Sequence, residues 1–240
     1  MTATLVFKHV DKSFGDTRVL HDISFSVDSG ETVGLLGLNG AGKTTLIRGL
    51  LDLNRVDSGE IEICGVSNLK TVARAGVCYL AERFQPPAFA TGYELVRHML
   101  ALSGHPFSPS ELEREADLLE LEREALARPV REYSKGMAQK IGLIACVLPQ
   151  VPLLVLDEPM SGLDPKARSL FKRRLGQLGE AGTALFFSTH LLADVESLCD
   201  RILIIHGGRL LFDGRVESLL SSSGLSSLEQ AFLATIEQNR

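Results

Sequence analysis

The sequence predicts an α/β fold with a mostly parallel core sheet. Short apolar, β-rich runs alternate with helical patterns, Gly or Pro marks the joins, and a glycine-rich loop lies between one such run and a helix-compatible segment. The runs are Thr4–Val10, Thr32–Leu36, Glu60–Cys64, Val77–Leu80, Leu153–Leu156, Ala184–Ser188 and Arg201–Ile205. Thr4–Val10 and Ser24–Val27 lie closer together, which predicts an N-terminal antiparallel β region. Between Gln85 and Leu148 the texture turns helical. Residues 85–148 are therefore read as a helical subdomain inserted into an α/β core of residues 1–84 and 149–240, within one domain. Ser108-Pro109-Ser110-Glu111 reads as an N-cap, a Pro at the first helical position and a capping-box Glu. The helix it opens is acidic and amphipathic through Leu112, Leu118, Leu119 and Leu121. Ser226 to Glu229 repeats the box spacing before a short terminal helix, and Ser221–Ser223 is expected in a loop.

A chain of 240 residues with 45% hydrophobic content can bury a substantial core. The net charge of −5 is spread without a like-charge block, and no Lys/Arg cluster suits nucleic acid, so no nucleic-acid partner is expected. Cys64, Cys78, Cys146 and Cys199 form no CxxC pair, which argues against a disulfide framework or a Cys-based zinc site and fits a reducing cytosol. The opening MTATLVFKHV has no long apolar segment of a secretory leader. The most apolar stretch, Ile141–Leu156, has 16 residues interrupted by Pro149, Gln150 and Pro152, whereas a bilayer span needs about 20. The chain is not expected to cross a membrane by itself.

The strongest chemical signal is GLNGAGKT: Gly37, Leu38, Asn39, Gly40, Ala41, Gly42, Lys43 and Thr44, with Thr45 next. It has the strand–loop–helix context that a P-loop requires. Glycines let backbone N–H groups turn inward on phosphates, and the helix N-terminus adds free donors and partial positive charge. Lys43 can reach the β and γ phosphates, and the Thr44 hydroxyl can ligate Mg²⁺. A second piece is LLVLDEP, Leu153 to Pro159. Asp157 at the end of a buried strand suits a carboxylate that holds Mg²⁺ through water, and Glu158 is placed to polarise an attacking water. Together these specify a P-loop nucleotidase, a class that also includes kinases, GTPases and helicases.

The discriminating segment is YSKGMAQK, Tyr133 to Lys140, about 20 residues before Asp157. It resembles the LSGGQ signature of ATP-binding-cassette (ABC) ATPases. Ser134 and Gly136 match, while Tyr133, Lys135 and Met137 replace the Leu, first Gly and Gln. SGLDP, Ser161 to Pro165, resembles the D-loop with Asp164, His190 in FFSTH resembles the switch histidine, and Phe14 in KSFG resembles the aromatic that stacks on adenine. Each has a bland reading: a turn, a helix cap, a solvated loop residue, a core aromatic. Their order and spacing across almost the whole chain carry the resemblance.

The resemblance implies the ABC ATPase fold, ATP and Mg²⁺ as cofactors, and two cassettes facing head to tail. Each ATP then sits between the phosphate loop of one chain and Ser134, Lys135 and Gly136 of the other. It implies Glu158 and His190 as catalytic residues, Asp157 and Thr44 at the metal, and Glu82 where the family has a metal-contacting Gln. The 240 residues hold one phosphate loop and one signature, so a second ABC subunit is required, a homodimer or a similar partner. The YSKGM form, Glu82 and SLEQAFL near the C-terminus are similar to ATPases paired with a separate, mostly exporting, membrane permease. That implies a cytoplasmic location, peripheral on the inner face of the cell membrane. The rival, a soluble cassette acting on nucleic acid or ribosomes, usually carries two cassettes or long coiled-coil insertions, and neither is present in this sequence. Phe84, Pro86, Pro87 and Phe89 fit either a docking groove for the permease or packing into the helical subdomain.

Overall fold

The structure, a computed structural model, describes residues 3–238. β1 (Ala3–Phe14) and β2 (Thr17–Asp28) form a long antiparallel hairpin. Both outrun the apolar runs that signal them, because their ends carry polar residues on an open face. β3 (Thr32–Leu36) is buried throughout and runs into the glycine-rich loop and α1 (Lys43–Leu50). β4 (Ser58–Ile63) and β5 (Val66–Ser67) complete an antiparallel sheet in the order β2-β1-β4-β5, and β6 (Val77–Leu80) starts the next layer.

Four helices follow: α2 (Gly92–Leu102), α3 (Pro109–Leu118), α4 (Arg123–Leu126) and α5 (Lys135–Val147). The chain then returns through β7 (Leu153–Asp157), α6 (Pro165–Glu180), β8 (Ala184–Thr189), α7 (Leu192–Leu198), β9 (Arg201–His206) and β10 (Arg209–Gly214). α8 (Val216–Ser223) and α9 (Leu228–Glu237) close the fold. The second sheet has the order β10-β9-β3-β8-β7-β6, parallel except for the β10–β9 pair. No helix among the described residues is long and apolar enough to cross a membrane.

The parallel strands are buried on both faces, so their side chains alternate between two cores rather than between core and water. Leu153, Val155 and Phe186 face the antiparallel sheet, where Phe186 stacks on Phe25 at 5.5 Å and Phe25 on Phe7 at 4.6 Å. Leu154, Leu156 and Phe187 face the helices, together with Phe171 of α6 and Ile144 of α5. Removing such a ring leaves a cavity: Phe186→Ala is expected to lower unfolding free energy by about 3–5 kcal/mol in urea titrations.

Local signals differ from expectation at several points. Ser108 Oγ accepts the Glu111 N–H at 3.4 Å, with Pro109 in the first turn, but the reciprocal capping box forms at Thr91 and Glu94. α3 ends at Leu118; Leu119 and Leu121 lie beyond it yet remain buried, because Glu120 turns the chain at φ 49°. The box expected at Ser226 is absent: Ser227 precedes α9 and makes no side-chain cap. Ser221–Ser223 is helical, not a loop. Its hydroxyls bond back to the carbonyls of Glu217, Leu219 and Leu220, which satisfies them within the helix. Phe84 and Phe89 differ in burial. Phe84 packs into the helix-side core, whereas Phe89 is 78% exposed with Arg131 over its ring at 5.0 Å.

Candidate functional site

α1 starts without a side-chain cap and with no acid in its first turn, so its N–H groups face the loop before it. That loop needs glycine at two places for different reasons. Gly42 sits at φ 109°, a conformation that L side chains rarely adopt. A Cβ on Gly37 would stand 2.6 Å from the Ile205 carbonyl oxygen of β9. Lys43 Nζ donates to Gly37 O at 2.7 Å, curling over the loop, and lies 3.7 Å from Glu158 Oε1.

The loop faces the C-terminal ends of β7 and β8. Asp157 and Ser188 are register partners, and Ser188 Oγ donates to Asp157 Oδ1 at 2.5 Å. The same hydroxyl accepts the Glu158 N–H at 3.0 Å, so one serine fixes both acids. Glu158 holds φ 47°, in the left-handed region, where a non-glycine residue is uncommon. That turn directs its carboxylate toward Lys43 on one side and His190 on the other, with His190 Nδ1 2.8 Å from Glu158 Oε2.

These groups line one cleft of about 280 Å³. Leu38, Asn39, Gly40, Ala41, Gly42, Lys43, Thr44 and Thr45 form its floor, and Glu82, Asp157, Glu158 and His190 face them across it. Thr44 Oγ1 donates to Asp157 Oδ2 at 3.3 Å. A hydroxyl and a carboxylate at this separation, with the Glu82 carboxylate on the same wall, are the hard oxygen donors that Mg²⁺ prefers. Their chemistry fits the ion.

Five expected site residues beyond the phosphate loop lie outside the cleft. Phe14, at the end of β1, is 48% exposed, with Lys12 Nζ 5.0 Å from its ring centroid. Ser134 is the N-cap of α5, its Oγ accepting the Met137 N–H at 3.2 Å. Lys135 and Gly136 follow on the exposed start of that helix, and the Lys135 ammonium lies against Gly162. Asp164 caps α6 through the Ala167 N–H at 2.9 Å, and that bond holds its carboxyl below the usual range. Ser134 and Asp164 thus serve their own helices.

The sequence reading passed over several residues. Val19 of β2 lines the cleft. Ser188 stands two residues before His190, but its role depends on a neighbouring strand and leaves no local signal. Gln139 of α5 donates to Pro159 O at 3.1 Å, tying the helix that Ser134 opens to the residue after Glu158. Burial, with Asp157 and Glu82 nearby, pushes the Tyr79 phenol of β6 up to about 12. Met160, to which no role attached, is a core residue.

Comparison with known proteins gives the following matches. The profile of the ABC transporter family matches residues 20–161. A Bacillus subtilis protein named as an uncharacterized ABC transporter ATP-binding protein, YdbJ, is 37% identical over 206 residues, 84% of this chain and 66% of its own length. The Nod factor export ATP-binding protein I of Burkholderia lata is 37% identical over 230 residues, 92% of this chain and 73% of its own. The chain thus spans about two thirds to three quarters of the length of these curated relatives. A solved structure described as the ATP binding subunit of an ABC transporter superposes with a TM-score of 0.89 at 32% identity, covering 98% of this chain and 99% of that one.

Proposed function

The chain belongs to the ABC transporter family, and from that premise we propose that it binds and hydrolyses ATP as the motor subunit of a transporter whose permease is a separate protein. The observation that carries this reading is the single cleft in which a phosphate loop, two strand-end acids and a histidine converge. Lys43 and the α1 N-terminus hold the phosphates. Thr44 and Asp157, with Glu82 through water, would hold Mg²⁺, which neutralises phosphate charge when bound. Glu158 takes up the proton of the attacking water, and His190 Nδ1 orients that carboxylate. Two chains pair head to tail, so that Ser134, Lys135 and Gly136 of one meet the nucleotide of the other. ATP closes the pair and hydrolysis releases it, a ligand-driven shift of population.

The relative named for Nod factor export, together with the YSKGM signature and Glu82, supports export as the direction. Family membership supports a place on the cytoplasmic face of the membrane, held by the permease. Phe89 offers an exposed contact for that partner.

The cradle is tested through Lys43→Ala. A hydrogen bond to a charged group contributes roughly 1.5–3 kcal/mol, so ATP affinity should weaken about 10–150-fold. Thermal-shift titration with Mg-ATP measures it, and an unchanged ATP-induced stabilisation would contradict the assignment.

A further inference from the structure

We infer that Lys172 is a positioning residue for the hydrolysis proposed above, clamping α7 to α6 and thereby setting where His190 stands against Glu158. The inference rests on that functional reading. His190 lies two residues before α7, a seven-residue helix whose N-cap is Leu191, a side chain that cannot cap. The Leu191 N–H bonds to Thr189 Oγ1 at 3.0 Å, which holds the strand side of the loop. The helix side is held by Lys172, reaching across from α6. Its ammonium donates to Ala193 O at 3.0 Å and to Ser197 Oγ at 2.8 Å, and stands 2.8 Å from Asp194 Oδ1. The third contact is an ion pair whose angle falls short of a hydrogen bond, so Asp194 Oδ1 has no well-directed donor among the described residues.

The Asp194 side chain is only 2% exposed. A buried carboxylate deprived of its cation is strongly disfavoured, so α7 cannot swing away from α6 without stranding that charge. Val195, fully buried beside Gly34 of β3, closes the other side of α7. His190, by contrast, has a side chain 49% exposed and is held at Glu158 by one contact of 2.8 Å. Its position is therefore set by the elements on either side of it. α6 is capped by Asp164, an exposed residue of the D-loop segment, and Lys172 is eight residues farther along the same rod, about 12 Å from it. Movement imposed on the D-loop by a partner chain would thus reach His190 through one rigid helix and one ammonium.

The test uses the full chain with Lys172→Met, and with Lys172→Met/Asp194→Asn, which removes the stranded charge. In both, kcat for ATP should fall about 10–100-fold, the cost of a small misplacement near the chemistry. KM should stay within about twofold, because the phosphate cradle is untouched. In the His190→Ala background the same changes should lower kcat by less than about twofold, since the clamp then has nothing to position. Equal losses in both backgrounds, the pattern a loss of stability alone would give, or an unchanged kcat, would overturn the inference. Amide exchange over residues 190–198 gives a readout independent of hydrolysis, with a rise of about tenfold expected in both variants. If the wild-type chain neither binds nor hydrolyses ATP, the functional reading fails. Unaltered exchange in the variants overturns the clamp itself.

Discussion

Replacing Glu158 by Gln is expected to lower ATP turnover by about 10²–10⁴-fold while ATP binding persists, the range that general-base assistance supplies. Gln keeps the shape of the side chain, and the backbone bonds that place it are unaffected: the residue 158 N–H still meets Ser188 Oγ and Ser188 O. What disappears is the charge 3.7 Å from Lys43 and the basic oxygen 2.8 Å from His190 Nδ1. Lys43 keeps its bond to Gly37 O, so the cradle survives. With chemistry blocked and binding intact, an ATP-loaded dimer should accumulate and show on size-exclusion chromatography in Mg-ATP. Single-turnover assays then separate the chemical step from binding. Wild-type hydrolysis by the variant would remove Glu158 from the role of base.

Ser134→Arg is expected to abolish hydrolysis and leave nucleotide binding by the isolated chain intact. Ser134 does not line the cleft that holds Lys43, so its own phosphate loop is untouched. Losing the bond from Ser134 Oγ to the Met137 N–H costs about 1 kcal/mol, the ordinary worth of a helix cap, and the chain should fold. The bulk of arginine should instead obstruct closure on the partner's γ-phosphate. Mixing this variant with Lys43→Ala protein should restore at most one working site per heterodimer, the one combining an intact loop with an intact signature. ATPase rate against dilution and mixing ratio measures this. Full activity of Ser134→Arg, with a rate per subunit constant on dilution to monomer, would sink the head-to-tail arrangement.

Much of the architecture was legible because β7, β8 and β9 are nearly pure apolar runs, which only a doubly covered strand tolerates. The phosphate loop was legible because its glycines answer to local geometry, which sequence carries directly. β10 was passed over: Arg209–Gly214 has a mixed pattern and takes its strand identity from pairing with β9. Ser221–Ser223 misled because serine's turn preference yields when its hydroxyls find carbonyls one turn back. Within the site, the residue types at 43, 44, 157, 158 and 190 announce their chemistry. Ser188, Gln139 and Lys172 do not, since each acts through a partner 20 to 31 residues away. The left-handed turn at Glu158 is equally silent, since nothing in the letters DEP demands it.

The alternation of Phe186 and Phe187 between two cores has a consequence for anyone redesigning this chain. A strand clad on both sides has no face on which a slipped register would be tolerated: a shift of one residue would exchange the environments of every side chain along it. β7 and β8 therefore act as a fixed ruler, holding Asp157, Glu158 and His190 at set marks. Retuning the rate by editing that ruler would cost foldability before it changed chemistry.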